Sequence, residues 1–270
     1  MKERTAFISC LVLAAEILLA LLLPLVLDLD PYTSTGGQFS AGPAPGHVFG
    51  FDELGRDIFA RVVCGGRVSL AVAFLSTCLS IALGVPLGLL AGYFGGIWET
   101  LVMRFSDVFM AFPSMVLILI FVSVVGQSTA VLIVIMGGLS WPAFARLLHG
   151  RILSIREEEY IESARAVGTG DLVIIAKYIL PNAIAPVLVQ ASFAFSGSMS
   201  MEAGLSFLGV GIRPPTPSWG NILFSAQSIS VLAHKPWIWL PPGLLFLLTV
   251  FAVTFIGDGL RRVFDPKSGR

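Results

Sequence analysis

Residues 157–181 read EEEYIESARAVGTGDLVIIAKYILP, a charged island set between strongly apolar segments. Glu157, Glu158 and Glu159 favour a helix N-terminus, where the backbone dipole welcomes negative charge. The island predicts a first helix over Glu157–Val167, with Tyr160, Ala164 and Val167 on one face at helical spacing. Gly168-Thr169-Gly170 ends it, because glycine adopts the left-handed conformation that a helix stop needs. Thr169 or Asp171 is placed to cap a second short helix, Leu172–Tyr178, and Pro181 suits the first turn of the apolar segment that follows. Two short helices joined by a glycine corner suit contact with a soluble partner and have little use as an anchor.

The rest of the chain is made for lipid. Of its 270 residues, 56% are hydrophobic and 13% charged, where a soluble domain carries about 25% charged residues. Six segments have the roughly 20 apolar residues that cross a hydrocarbon core: Ala6–Leu27, Val68–Gly92, Phe105–Val125, Ala130–Leu148, Ala183–Leu208 and Ile238–Ile256. The first carries Glu16, but its many Leu and Ile outweigh one carboxylate, and it reads as a retained anchor helix and not a cleaved signal. The expected fold is therefore an all-α integral membrane protein of six transmembrane helices with a cytoplasmic two-helix element.

Basic residues set the orientation. With the N-terminus inside, Lys2, Arg4, Arg104, Arg146, Arg151, Arg156, Arg165, Lys177, Arg261, Arg262, Lys267 and Arg270 are cytoplasmic, against Arg56, Arg61, Arg67, Arg213 and Lys235 outside. Both termini and the island then lie in the cytoplasm, and two long loops, Asp28–Arg67 and Gly209–Trp237, face outward. The chain divides into an anchor helix with its outer loop (1–66), a core (67–266) holding the island, and a cytoplasmic tail (267–270).

Several function classes drop out. Net charge is zero, so bulk electrostatics implies no nucleic-acid partner. Cys10, Cys64 and Cys78 are scattered, as are His47, His149 and His234, which suggests neither a disulfide framework nor a metal site. Residues 50–57 imitate the glycine spacing of a phosphate-binding loop but lack its Lys-Ser/Thr. Their glycines, Arg56 and Asp57 read instead as a capped turn with a local ion pair. His149 sits beside Arg146 and Arg151 as a basic interfacial residue, not as a catalytic base.

Within the spans, Ser192, Ser196, Ser200 and Gly204 repeat every four residues, with Glu202 beside them. Such a row permits close helix packing, and it is also a candidate pathway lining or two-fold interface. Gly84, Gly88 and Gly92 form a comparable row around Pro86. A carboxylate in a span is a functional candidate by default, either for Glu202 touching substrate or pairing with a partner, or else as a Ser-bonded group that only packs.

Glu162-Ser163-Ala164, three residues, Gly168, nine residues, then Tyr178-Ile179-Leu180-Pro181 resembles the EAA loop of ABC importer permeases. Ser163 and Tyr178 depart from that family's Ala and Ile. Phe51–Asp57, Arg67–Leu70, Gly84–Gly88, Ala111-Phe112-Pro113, Leu205–Gly209, Pro215–Gly220 and Gly257–Arg261 look like the C-type permeases of dipeptide, oligopeptide and nickel importers, in the family's order. The resemblance implies a type I ABC importer permease fold in a bacterial inner membrane. It implies that Glu162, Ser163, Ala164, Gly168, Leu180 and Pro181 dock an ATP-binding subunit. The partners would be a B-type sister permease in a heterodimer, two ATP-binding subunits and an extracytoplasmic binding protein, with lipid around them. ATP and Mg²⁺ would sit in the ATP-binding subunits, with no cofactor on this chain. The expected cargo is peptide, with nickel, metal chelates or glutathione as the alternative. An ion-coupled secondary carrier is the rival of another class, and it leaves the island unexplained.

Overall fold

The computed structural model describes residues 2–36 and 38–264. The side chain of Lys2, and Lys267, Arg270 and the tail 267–270 of the sequence reading, lie outside the described residues. Every helix or strand found among the described residues is helical: α1 (Lys2–Val26), α2 (Ile58–Phe94), α3 (Gly96–Ala111), α4 (Ser114–Val125), α5 (Thr129–Ile155), α6 (Glu159–Ala166), α7 (Asp171–Ile174), α8 (Leu180–Phe207), α9 (Trp219–Phe224), α10 (Ile229–His234) and α11 (Pro236–Phe264). Five helical stretches, Arg4–Val26, Ile58–Phe94, Thr129–Ile155, Asp171–Phe207 and Pro236–Phe264, are long and apolar enough to cross a membrane. Leucines such as Leu18, Leu22 and Leu25 on α1 stand more than half exposed, as a lipid-facing surface requires.

The third expected span is broken. α3 and α4 pass the length test only together, and they meet at a bend of 86°. The cause is Pro113, whose ring forbids the helical region to the residue before it, and Phe112 is accordingly extended (φ −104°, ψ 143°). α4 alone has 12 residues, about 18 Å of helix against the ~30 Å of a hydrocarbon core.

α2 is the spine of the bundle. Its N-terminus is capped by Asp57, whose carboxylate accepts the Ala60 N–H at 2.8 Å. Its closest neighbour is α5, and the glycine row is the reason. A Cβ on Gly84 would lie 2.6 Å from Phe144 Cβ, on Gly88 2.7 Å from the Ala145 carbonyl, and on Gly92 2.8 Å from Ile152 Cβ. Gly137 of α5 returns the favour against Leu79 and Ser76. Small residues thus bring two backbones together, the device that lets helices associate where lipid is as apolar as leucine. α1 packs on α11, where a Cβ on Gly259 would meet Ala6 Cβ at 2.6 Å.

The end of this bundle that carries the polar island holds a core of Tyr93, Phe144, Leu148, Ile152 and Ile155, which also takes in Ile161 of α6 and Ile174 of α7. The polar island is therefore rooted in the membrane domain and does not hang from it.

Candidate functional site

α6 begins at Glu159, two residues later than its acidic start suggests, because the Glu158 N–H is spent on the Ile155 carbonyl at the end of α5. The residue it buries is Ile161, with Ala164 half-buried beside it. Tyr160 and Val167, which share a face with Ala164 by spacing, are exposed, Val167 to 87%. Gly168 stops the helix at φ +82°. Its N–H donates to the Arg165 carbonyl at 2.9 Å, and the Thr169 N–H to the Ala164 carbonyl at 3.0 Å. This paired closure is the Schellman arrangement, and it satisfies carbonyls that the helix end would otherwise orphan.

The second short helix is not a separate element. Asp171–Ile174 runs through a π turn, Ile175–Ile179, directly into α8. Pro181 has no N–H for the carbonyl four residues back and its ring crowds it, and a widened turn absorbs both defects. Neither Thr169 nor Asp171 caps α7, whose N-cap is Gly170. Asp171 instead accepts the Tyr93 hydroxyl at 2.6 Å, and the Arg165 guanidinium lies 5.2 Å from the centre of the Tyr93 ring. Glu162, Ser163, Gly168 and Pro181 are exposed, while Leu180 is half-buried. With Val167 and the 80% exposed Leu172, they form an open corner of mixed polar and apolar character.

The small-residue row on α8 does not form one surface. Four residues advance a helix by about 400°, so a four-spaced row winds by about 40° per step. Ser192 packs on α11, where a Cβ on Gly257 would lie 2.9 Å from Ser192 Cβ. Ser196 is buried, Ser200 is exposed and donates back to the Ser196 carbonyl at 2.9 Å, and Gly204 faces only Met115 Cε at 4.0 Å. A cleft of about 300 Å³ between α4, α5 and α8 is lined instead by Ile118, Met136, Ser140, Gln190, Gly197 and Met201. A larger cleft of about 890 Å³, at the end of the bundle that carries the polar island, is flanked by Arg151, Asn182, Gln190, Phe193 and Arg261.

Glu202 faces neither cleft. It is 1% exposed, and its carboxylate accepts the hydroxyls of Ser69 (3.0 Å), Ser206 (2.8 Å) and Ser218 (2.9 Å). Within this chain the carboxylate is thus bonded to three serines. Glu16 is likewise buried, and its carboxyl meets the Thr249 hydroxyl of α11 at 2.7 Å.

On the outer side, Asp52 accepts the backbone N–H groups of Leu54 and Arg56, each at 2.9 Å, and pairs with the Arg56 guanidinium at 2.7 Å. The ion pair thus joins Arg56 to Asp52 and not to Asp57, which caps α2 and takes His47 Nδ1 at 2.6 Å. Arg61, expected in the outer loop, lies on α2. It is buried, donates to the Pro31 carbonyl at 3.2 Å, and contacts Asp52 at 3.4 Å. Around them, between the two outer loops, is a cavity of about 380 Å³. At the opposite end of the bundle, Asp107 pairs with Arg146, and His149 lies 3.0 Å from the Glu99 carboxylate. Among the described residues, no cluster of three or more His, Cys, Asp or Glu is arranged to hold a metal ion.

Sequence reasoning missed Tyr93, Ile161, Leu172 and the partners of Glu202. Ser206 stands at helical i+4 spacing from Glu202, and Ser218 carried a local signal, since Ser218 and Asn221 stand at the spacing of a capping box, which forms.

Residues 84–270 match the family described as binding-protein-dependent transport system inner membrane component. A putative peptide permease protein of Brucella ovis is 38% identical, over 99% of this chain and 89% of its own length. The dipeptide transport system permease protein DppC of Alkalihalophilus pseudofirmus is 37% identical, over 98% and 87%. A glutathione transport system permease protein, GsiD, of Escherichia coli is 43% identical, over 84% and 74%. Among solved structures, an inward-facing form of the MetNI methionine ABC transporter superposes with a TM-score of 0.61 at 22% identity, covering 76% of this chain and 96% of that one.

Proposed function

Because the chain belongs to the family of binding-protein-dependent transport system inner membrane components, the permease subunits of ABC importers, we propose that it forms one half of a peptide import pathway. A B-type sister permease supplies the other half. Two ATP-binding subunits hydrolyse ATP beneath them, and an extracytoplasmic binding protein delivers cargo to the outer loops. The pair works by alternating access in a bacterial inner membrane, with both termini in the cytoplasm and no cofactor on this chain. Peptide is favoured as cargo because relatives matching nearly the whole chain carry peptide and dipeptide in their names.

The observation that carries this reading is the corner at Gly168. Val167 (87% exposed) and Leu172 (80% exposed) flank it, while Ile161 and Ile174, fully buried, root the same two turns in the bundle. An apolar surface held rigidly outside the lipid belt suits the groove of a soluble partner. Glu162, Ser163, Ala164, Gly168, Leu180 and Pro181 are the docking set: Gly168 shapes the corner, Glu162 offers a polar contact, and Leu180-Pro181 passes its displacement into α8. The test is a paired Val167→Asp, Leu172→Asp variant purified in mild detergent from its native membranes. The ATP-binding subunits should be lost from the complex while the melting temperature of the chain stays put. Retention of those subunits, with uptake of labelled di- and tripeptides intact, would remove the corner from the mechanism.

A further inference from the structure

The Glu202 carboxylate is the end point of three hydrogen-bond relays. Ser206 Oγ accepts the N–H of Ile212 at 3.3 Å, Ser69 Oγ the N–H of Trp219 at 3.1 Å, and Ser218 Oγ the N–H of Asn221 at 3.1 Å. A hydroxyl has one hydrogen, and each of these is directed to Glu202. All three amides belong to the outer segment 209–221, whereas the carboxylate and two of the hydroxyls belong to α8 and α2.

The packing shows that the segment is seated on those helices and does not merely pass over them. A Cβ on Gly220 would lie 2.8 Å from Ala203 Cα and 3.1 Å from Glu202 Oε1, and one on Gly211 would lie 2.1 Å from Ser206 Oγ. On α2, Gly65 and Gly66 leave room for the Ser218 backbone and the Trp219 ring, at 3.2 and 3.0 Å from their Cβ positions. The Trp219 indole N–H donates to the Val62 carbonyl at 2.9 Å.

We infer that Glu202 is a positioning residue that latches the outer segment 209–221 to the α2–α8 pair, so that the loop's seat depends on how those two helices stand to each other. The Ser69 branch crosses from α2 to α8. A shift of one helix past the other parts Ser69 from Glu202 and withdraws the hydroxyl that holds the Trp219 amide. The same segment contributes Pro214 and Asn221 to the cavity between the outer loops. The latch therefore ties the shape of the outer face to the state of the bundle. That last step rests on the importer reading given above, whereas the relay itself does not.

Hydrogen exchange resolved by residue on the full-length chain, purified with the partners that accompany it, separates the two. In Glu202→Gln, the amide nitrogen meets hydroxyl hydrogens that are already committed, and a relay must break. Exchange should rise up to about tenfold at Trp219 where the amide nitrogen stands for Oε2, or at Ile212 and Asn221 where it stands for Oε1, as loss of an amide–hydroxyl hydrogen bond implies. The Val210 amide, bonded to the Leu205 carbonyl, should stay as protected as before. Ser69→Ala should release Trp219 alone and Ser206→Ala should release Ile212 alone. Unchanged exchange at all three amides in Glu202→Gln would overturn the latch, and so would equal loss at Val210, which would mean general loosening. On the same complexes, the affinity for the co-purifying binding protein should fall in both Glu202→Gln and Ser69→Ala. Released amides with unaltered affinity would leave the relay standing and overturn its link to the outer face.

Discussion

The Tyr93 hydroxyl donates to the Asp171 carboxylate at 2.6 Å, joining the last turn of α2 to the first residue of α7. α2 is also the helix that packs along α5 through three glycines. A displacement of the Gly168 corner therefore reaches two routes at once, α8 through the π turn and α2 through this bond. In Tyr93→Phe the ring stays against Arg165 and only the bond is lost. Stability should fall by about 1 kcal/mol. If the bond carries force, peptide uptake should drop further than binding of the ATP-binding subunits does, measured on the same membranes.

Gly168 and Gly170 offer an internal contrast at the same corner. A Cβ at either would meet nothing within 4 Å, but Gly168 has φ +82° and Gly170 φ −65°. Gly168→Ala should cost about 1–2 kcal/mol by backbone strain alone, with Gly168→Asn milder because Asn tolerates that region. Gly170→Ala should be neutral or slightly stabilising. Thermal unfolding in detergent, run beside co-purification of the ATP-binding subunits, checks the order.

These corners also mark what the sequence could and could not disclose. Gly168, the glycine row of α2 and the polar island were legible because each follows a local rule of spacing or backbone freedom. The bend at Pro113 was legible too, in Phe112-Pro113, but hydropathy averaged over a window hides a break that costs no apolar residue. Ile161 was not singled out because periodicity fixes which residues share a face, while only the bundle decides which face turns inward. Of the three partners of Glu202, Ser206 stands at helical i+4 spacing, whereas Ser69 and Ser218 lie 133 and 16 residues away along the chain. No spacing rule reaches that far.

Gly88 lies in the middle of the close α2–α5 contact. Its Cβ would stand 2.7 Å from the Ala145 carbonyl and 3.0 Å from Leu148 Cβ, neither of which can swing aside. Gly88→Val should destabilise the chain by about 1–3 kcal/mol. Gly138→Ala, one residue past the contact with Leu79 and facing open space, should change little. A comparison of melting temperatures decides, and equal effects would mean that helix propensity and not packing governs both sites.

Glu16 and Thr249 hold α1 against α11 by a buried contact of 2.7 Å, and the other carboxyl oxygen of Glu16 has no partner. Removing one member of such a pair strands the other, whereas removing both replaces two polar groups by packing. Thr249→Val alone should therefore cost about 1–3 kcal/mol, and Glu16→Leu alone should be close to neutral, since the Thr249 hydroxyl then gives its one hydrogen to the Leu245 carbonyl at 2.8 Å. The double variant should recover most of the loss seen in Thr249→Val, because the carboxyl that lost its partner is gone. If the two single costs simply add, the contact is incidental and α1 is held by its apolar face alone. Recovery in the double variant would instead make this pair the feature that fixes the register of α1 on α11, a role that hydropathy assigns to no residue of either helix.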